Sequence, residues 1–205
     1  MRPRSRISLA EIRAGKVCYL PSWSVAAVLM VLIALAGGRW ASAQSNDSAE
    51  YQVKAAFLFH FAQFVDWPPE TFKAADSPLT YCTVGEDSFH GALEAALNGK
   101  KFGSRPFRVQ HFKQVQEVQG CQVLFIGIVG KEPALAALAN LQGSPILTVG
   151  EWEHFAQDGG MIGFCLEDNK VRFEINLAAA EHSKLRISAR LLALAKTVIG
   201  GPKGT

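Results

Sequence analysis

The chain has 205 residues, of which 49% are hydrophobic and 19% are charged, and its formal net charge is +3 at pH 7. The positive charge is concentrated in the first 43 residues, and the remaining 162 residues carry a net charge of −2. This balance gives no indication of nucleic-acid binding or of a polybasic membrane contact. The 162 residues suffice for one domain that buries its own core, and they contain no internal repeat.

The first 43 residues have the three parts of a secretory signal peptide. Basic residues precede an apolar run of 12 residues, Val25 to Ala36, and Ala41-Ser42-Ala43 provides a cleavage site. Such a run is short for the roughly 30 Å hydrocarbon core of a bilayer, and an uncleaved N-terminal anchor is the alternative. We expect a signal peptide over 1–43 that is cleaved after Ala43, a polar leader over 44–49, one domain over 50–200 and a tail over 201–205.

A helix is predicted from Glu50 to Asp66. It ends at Trp67-Pro68-Pro69, because a residue that precedes proline is forced out of the helical conformation. Its apolar residues extend well beyond one stripe, so the helix must be covered on two sides. Burial within its own domain is the first interpretation, and contact of part of this surface with another protein is the alternative.

The rest of the chain alternates between predicted strands and helices. The strands are Leu79–Val84, Phe107–Phe112, Val123–Ile128, Ile146–Val149, Met161–Leu166 and Val171–Ile175. The helices are Ser88–Leu97, Pro133–Leu141, Glu151–Gln157, Leu177–His182 and Leu185–Ile199. The last two strands are joined by a tight turn, which indicates an antiparallel hairpin. The alternation predicts an α/β fold: a three-layer α/β/α sandwich with a mainly parallel sheet and one antiparallel hairpin.

Three cysteines follow the predicted signal peptide, and an exported protein should pair two of them. Cys82 lies near the start of the first strand and Cys121 lies just before the third. These strands are neighbours in a sheet of flavodoxin-like order, so both residues would lie at the same edge of adjacent strands. We therefore predict a Cys82–Cys121 disulfide and leave Cys165 as a buried, unreactive thiol.

No catalytic or metal-binding motif is found in the sequence. The five histidines lack zinc-type spacing, and GxSxG, Walker A and GxGxxG are absent, so we predict no cofactor, no metal and no enzyme activity. A composite catalytic site built from distant residues is the third possibility for function. The strand-to-helix turns, where α/β proteins bind ligands, provide small-ligand candidates at Glu86, Asp87, Ser88 and Lys131, although capping of the helix also explains the carboxylates.

Several segments resemble the YfiR-like family. Tyr51 to Phe59 and Phe64 to Pro68 resemble its opening, Gly159 to Phe164 and Asn169 to Asn176 its closing hairpin, and Leu185 to Leu192 its last helix. Gly99 to Lys101, Arg105-Pro106 and Cys121 to Ile126 also fit the family.

The resemblance implies a periplasmic repressor that binds the sensor domain of a membrane diguanylate cyclase, keeps it inactive and so lowers cyclic di-GMP. It further implies release by an OmpA-type outer-membrane lipoprotein, control of biofilm formation, homodimers, and a redox-sensitive disulfide, with a second one near the fifth strand. Cys165 is the single cysteine available there. The partner-binding candidates are Phe59, His60 and Gln63 on the first helix, and Arg172, Glu174 and Asn176 on the hairpin. A small-molecule-binding sensor component is the alternative function.

Overall fold

The computed structural model describes residues 41–201, and the side chains from residue 47 onward. The predicted signal peptide lies outside these residues except for its last three, and so do residues 202–205 of the predicted tail. The helices are α1 (Ala41–Gln63), α2 (Ala92–Leu97), α3 (Lys131–Leu141), α4 (Leu177–His182) and α5 (Ala189–Leu192). Among these residues, no helix has both the length and the apolarity needed to span a membrane.

The strands form a large sheet and a small one. They are β1 (Val65–Asp66), β2 (Leu79–Gly85), β3 (Lys101–Phe102), β4 (Arg105–Phe112), β5 (Val123–Gly127), β6 (Leu147–Gly150), β7 (Ile162–Glu167), β8 (Lys170–Asn176), β9 (Arg186–Ile187) and β10 (Thr197–Ile199). The large sheet has the order β10-β8-β7-β6-β5-β2-β4-β3, and β1 pairs separately with β9.

The predicted fold class is confirmed. Strands β4, β2, β5, β6 and β7 are parallel neighbours, in the flavodoxin-like order expected from the sequence. Strands β7 and β8 form the predicted antiparallel hairpin, and the structure adds a second small hairpin between β3 and β4. The β7–β8 turn places Asp168 and Asn169 at positive φ, as a two-residue type I′ turn requires.

Helices cover the two faces of the sheet unequally. Residues of α1, α2, α4 and α5 belong to the larger buried cluster, together with strand residues such as Tyr81, Phe125 and Ile162. On the other face, α3 packs over β2 and β5 through Leu138, against Val84 and Leu124. The first helix is thus buried mainly within its own domain, which was the first interpretation of its excess of apolar residues.

Several predicted helices differ from the structure. The predicted helix Ser88–Leu97 begins only at Ala92, because His90 and Gly91 have positive φ. Residues 64–66 leave the helix because β1 pairs with β9, and residues 151–157 form turns in which His154 has a φ of +66°, a value incompatible with an α-helix. The predicted helix Leu185–Ile199 is divided into β9, α5 and β10. Apolar spacing alone cannot detect this division, because strand pairing with β1 and β8 overrides a weak local preference for helix.

Candidate binding site

The partner-binding candidates on α1 differ in their freedom to contact another chain. His60 and Gln63 are exposed, whereas Phe59 is half-buried and packs edge-on against Phe107 of β4, with ring centres 5.7 Å apart. The ammonium of Lys100 lies 4.1 Å from the centre of the Phe59 ring. Phe59 is therefore largely occupied by its own domain, and the exposed part of this surface consists of His60 and Gln63.

The candidates on β8 project from the face of the sheet opposite α1. Arg172 is exposed and its Nε lies 3.5 Å from a carboxylate oxygen of Glu167, while Glu174 accepts a hydrogen bond of 3.0 Å from Gln157. Asn176 has a structural role, because its side-chain oxygen accepts from the backbone N–H of Ala179 at the start of α4 and its amide donates to the Ala156 carbonyl.

The structure does not bring the two candidate sets together. Phe59 packs beside β4, and Arg172 lies on β8, with β7, β6, β5 and β2 between these two strands. Five strand spacings of about 4.8 Å place them ~24 Å apart across the sheet. One small partner element could not contact both sets at once.

The small-ligand candidates are also dispersed. Glu86 lines a cleft of about 450 Å³ at the carboxyl ends of β2 and β5, whereas Asp87 accepts a hydrogen bond from the backbone N–H of Phe89 within its own turn. Ser88 is half-buried outside this cleft, and Lys131 lies 3.6 Å from Asp158. Only Glu86 of the four faces the cleft.

A larger cleft, of about 610 Å³, lies where β6 ends beside β7. Its walls are the middle turns of α1 and the turn that follows β6, and residues 163–166 of β7 form its remaining side. The side chains lining it combine aromatic and apolar groups with carboxylates: Tyr51, Trp152, Phe164 and Leu166 with Glu50, Glu151, Glu153 and Glu174. We call this feature the β7 cleft.

One wall of the β7 cleft is fixed by a buried ion cluster. Lys54 is 5% exposed, and its ammonium lies 2.5 Å from carboxylate oxygens of both Glu50 and Glu151. Tyr51 donates a 2.7 Å hydrogen bond to the other oxygen of Glu151. Burial alone would lower the pKa of Lys54, but the hydrogen bonds to the two carboxylates raise it above its ordinary value. For Tyr51, by contrast, burial is the main cause of a pKa above its ordinary value.

Sequence reasoning missed this cluster. It singled out Glu50 only as a helix boundary and did not assign Lys54 or Glu151 a role. A signal was present, since Lys54 is a cation within a very apolar helix and follows Glu50 by one helical turn. The pairing with Glu151, 97 residues away, depends on the fold.

The turn after β6 is anchored by the aromatic ring of Phe155, which packs against two glycines. Phe155 is 1% exposed, and a Cβ added at Gly150 or Gly160 would lie 2.3 Å or 2.0 Å from its ring. Only glycine leaves room for the ring at these two positions. Gly160 of the Gly159-Gly160 motif, noted in the sequence for its resemblance, therefore has a packing reason in this chain, whereas Gly159 has a φ of +106° with no neighbouring atom within 4 Å.

A chain of hydrogen bonds elsewhere has the geometry of a nucleophile, a base and an acid. Thr83 Oγ1 lies 2.7 Å from His111 Nδ1, and His111 Nε2 lies 2.7 Å from Glu94 Oε1. However, Thr83 is only 3% exposed, so its hydroxyl does not reach a substrate-sized space. The arrangement links β2, β4 and α2. Within the described residues, no group of three or more histidine, cysteine or acidic side chains could hold a metal ion.

The predicted Cys82–Cys121 disulfide is present, with a Cα–Cα distance of 5.9 Å. Cys165 is a free, half-buried thiol, and burial is the main cause that raises its pKa. Its cross-strand neighbour in the hairpin is Arg172, and no disulfide joins Cys165 to another cysteine among the described residues.

Two solved structures are distantly similar to this chain. The ABC domain in complex with L-Trp from Streptococcus pneumonia has 10% identity and a TM-score of 0.47, over 71% of this chain and 60% of that one. A conserved domain protein from Vibrio cholerae O1 biovar El Tor has 11% identity and a TM-score of 0.40, over 58% of this chain and 54% of that one. The chain thus spans little more than half the length of either protein, and we draw nothing from them.

Comparison with protein families gives a match over nearly the whole domain. The YfiR/HmsC-like family model aligns with residues 51–196, from the start of the Tyr51–Phe59 segment to the residue before β10. This range contains the disulfide, the closing hairpin and every residue that lines the β7 cleft except Glu50. The chain belongs to the YfiR/HmsC-like family.

Proposed function

We propose that this protein is a periplasmic regulatory binding protein that inhibits a membrane-bound diguanylate cyclase and so lowers cyclic di-GMP. The observation that carries the proposal is membership of the YfiR/HmsC-like family over residues 51–196. The predicted signal peptide and a disulfide suited to an oxidising compartment agree with a periplasmic location. The protein acts by binding and not by catalysis.

The surface supports a binding role in two places. Exposed His60 and Gln63 lie at the end of α1. Exposed Arg172 lies on the opposite face of the sheet, where α3 packs over β2 and β5 and not over β8. Because these surfaces lie on opposite faces of the sheet, we infer that the cyclase sensor domain uses one of them. The other is then available for a second copy of the chain or for the releasing OmpA-type lipoprotein.

The test is a pull-down from detergent-solubilised membranes of the bacterium that makes the protein, with the exported protein as bait. We expect recovery of a diguanylate cyclase, and lower cyclic di-GMP when the protein is overproduced. Arg172→Glu tests the hairpin surface and His60→Glu tests the helix surface. Arg108→Glu, at an exposed position of β4, is the matched control. Recovery of no membrane protein under oxidising or reducing conditions would refute the proposal.

A second candidate function is the sensing of a small molecule. It is favoured by the 450 Å³ cleft at the carboxyl ends of β2 and β5, the region where α/β proteins commonly bind ligands. A ligand that binds only the native state raises the melting temperature by mass action. A thermal-shift screen of periplasmic metabolites, repeated with Glu86→Gln, tests this function. The absence of any shift that Glu86→Gln removes would count against it.

A further inference from the structure

Strand β7 has a free edge inside the β7 cleft. Its pairing with β6 ends at Gly150 opposite Gly163, whereas its pairing with β8 continues through Glu167 opposite Lys170. In a two-residue hairpin the closing pair exchanges both hydrogen bonds, so the N–H and the carbonyl of Leu166 point away from β8. Neither group finds a backbone partner among the described residues. Such an edge is a template for an added strand.

Specific contacts of the chain that follows β6 keep the gap beside β7 open. Immediately after β6, the carboxylate of Glu151 is held by Tyr51 and Lys54 of α1, which draws the chain away from β7. The following turn is anchored by the buried ring of Phe155. These two attachments prevent β6 from extending and keep about 610 Å³ open along Phe164–Leu166.

The two sides of the free edge differ in chemistry. Leu166 is 55% exposed and shares the face of β7 that carries Phe164, which packs against Phe57 of α1. Cys165 and its neighbour Glu174 occupy the opposite face. A strand added here would place alternate side chains beside Leu166 and beside Glu174, and the face of the hairpin that carries Glu174 also carries Arg172.

The charge of the cleft selects a basic occupant. Glu50 and Glu151 share the single ammonium of Lys54, which leaves one excess negative charge, and Glu153 and Glu174 add two more. The positive groups nearby are His154, 3.4 Å from Glu153, and Arg172, which faces Glu167. Lys196 also pairs with Glu167, at 3.0 Å, so these two cations exceed that carboxylate by one charge. Two of the three excess negative charges remain.

We propose that the β7 cleft binds an extended segment of a partner polypeptide as an additional strand beside Phe164–Glu167. The segment alternates apolar residues, directed toward Leu166 and α1, with basic residues, directed toward Glu174. In identifying the occupant as part of a partner protein, this inference rests on the proposed function. The site itself is defined by backbone hydrogen bonding and charge, and it can be tested without the cyclase.

The first experiment measures binding of defined hexapeptides to the exported protein by fluorescence anisotropy. The probes are a peptide of alternating lysine and leucine, the same peptide with glutamate for lysine, and the basic peptide with all its backbone amides N-methylated. We expect saturable binding of the first alone, because the second has the wrong charge and the third lacks the donors for strand pairing. Bound peptide should slow hydrogen exchange of the Leu166 amide about tenfold or more.

Two matched charge-reversal variants distinguish binding of the basic peptide at the β7 cleft from its general electrostatic attraction to the protein. Glu174→Lys should weaken the binding of the basic peptide about tenfold or more. Glu181→Lys, at an exposed position of α4, should leave the affinity for this peptide unchanged. Equal binding of the N-methylated peptide, equal loss in both variants, or absence of binding would overturn the proposal. Concentration-dependent protection of Leu166 without peptide would instead assign the cleft to a second copy of the chain and would also overturn it.

The pull-down distinguishes this inference from the proposed function. Recovery of the cyclase by wild type and by Glu174→Lys alike would overturn the β7 cleft as its binding site and leave the proposed function standing. Peptide binding with no cyclase recovered would leave the strand-addition site standing and refute the proposed function. Loss of the cyclase in Glu174→Lys but not in Glu181→Lys would support both.

Discussion

Replacement of Lys54 by methionine tests the ion cluster that shapes the β7 cleft. Methionine keeps much of the length of the side chain but removes the ammonium, and so leaves Glu50 and Glu151 without their shared cation. Breaking a buried ion pair by removing one partner costs about 3–5 kcal/mol. Because the Glu50 and Glu151 side chains are 25% and 26% exposed, we expect a smaller loss. A loss of about 2–3 kcal/mol follows, which lowers the melting temperature of a chain of this size by roughly 4–12 °C.

The assay is urea unfolding at pH 7, followed by circular dichroism, with Lys73→Met at an exposed position as the control. A double-mutant cycle with Glu151→Gln, which still accepts the hydrogen bond from Tyr51, should give a coupling energy of about 1 kcal/mol or more. If Lys54→Met loses no more stability than Lys73→Met, the cluster does not stabilise the fold and the physical reasoning is refuted.

Three other predictions concern the core and the disulfide. Reduction of the Cys82–Cys121 bond, which spans 39 residues, should lower the unfolding free energy by about 3–4 kcal/mol, and an unchanged urea midpoint in dithiothreitol would contradict this. Gly160→Ala places a Cβ 2.0 Å from a buried ring and should cost about 2–3 kcal/mol, whereas Gly201→Ala, whose nearest neighbour is 3.5 Å away, should cost under about 0.5. Equal losses would refute the packing role. Burial raises the pKa of Tyr81 in the folded protein. Its neutral hydroxyl therefore makes its full contribution to stability below pH values near 10, the pKa of tyrosine in the unfolded chain, and this contribution is lost as the pH rises above that value. Stability should fall above about pH 10, and less so in Tyr81→Phe; parallel pH profiles would contradict the reasoning.

The parallel sheet could be predicted because its strands are buried on both faces. Val123–Ile126 is almost wholly apolar, and a short apolar run between turn signals has few alternatives to a central strand. Once the strand order was inferred, the Cys82–Cys121 pair followed from the adjacency of β2 and β5. That a helix ends before Trp67-Pro68-Pro69 could also be predicted, because proline removes a backbone donor and restricts the residue before it. The helix ends at Gln63, three residues earlier than predicted, because β1 pairs with β9.

The candidate site could be predicted only in part. Arg172 and Glu174 were identified from the alternation of the hairpin, and Glu174 does line the β7 cleft. Asn176 was assigned to partner binding but caps α4, because an exposed-looking asparagine and a capping asparagine are identical in sequence. Leu166 was counted only as part of a strand, since the lack of a neighbour on one side depends on where β6 ends.

The sequence by itself determined the elements that local rules govern: buried strands, the proline stop, the hairpin turn and the likeness to a family. Tertiary structure alone decided the fate of Leu185–Ile199, which became β9, α5 and β10 through pairing with distant strands. It also decided the β7 cleft, which exists because Lys54 and Glu151 meet across 97 residues of chain. The physical reason is the same in both cases. Non-local hydrogen bonds and ion pairs outweigh local preferences of a few tenths of a kcal/mol per residue, and their partners cannot be identified from spacing along the chain.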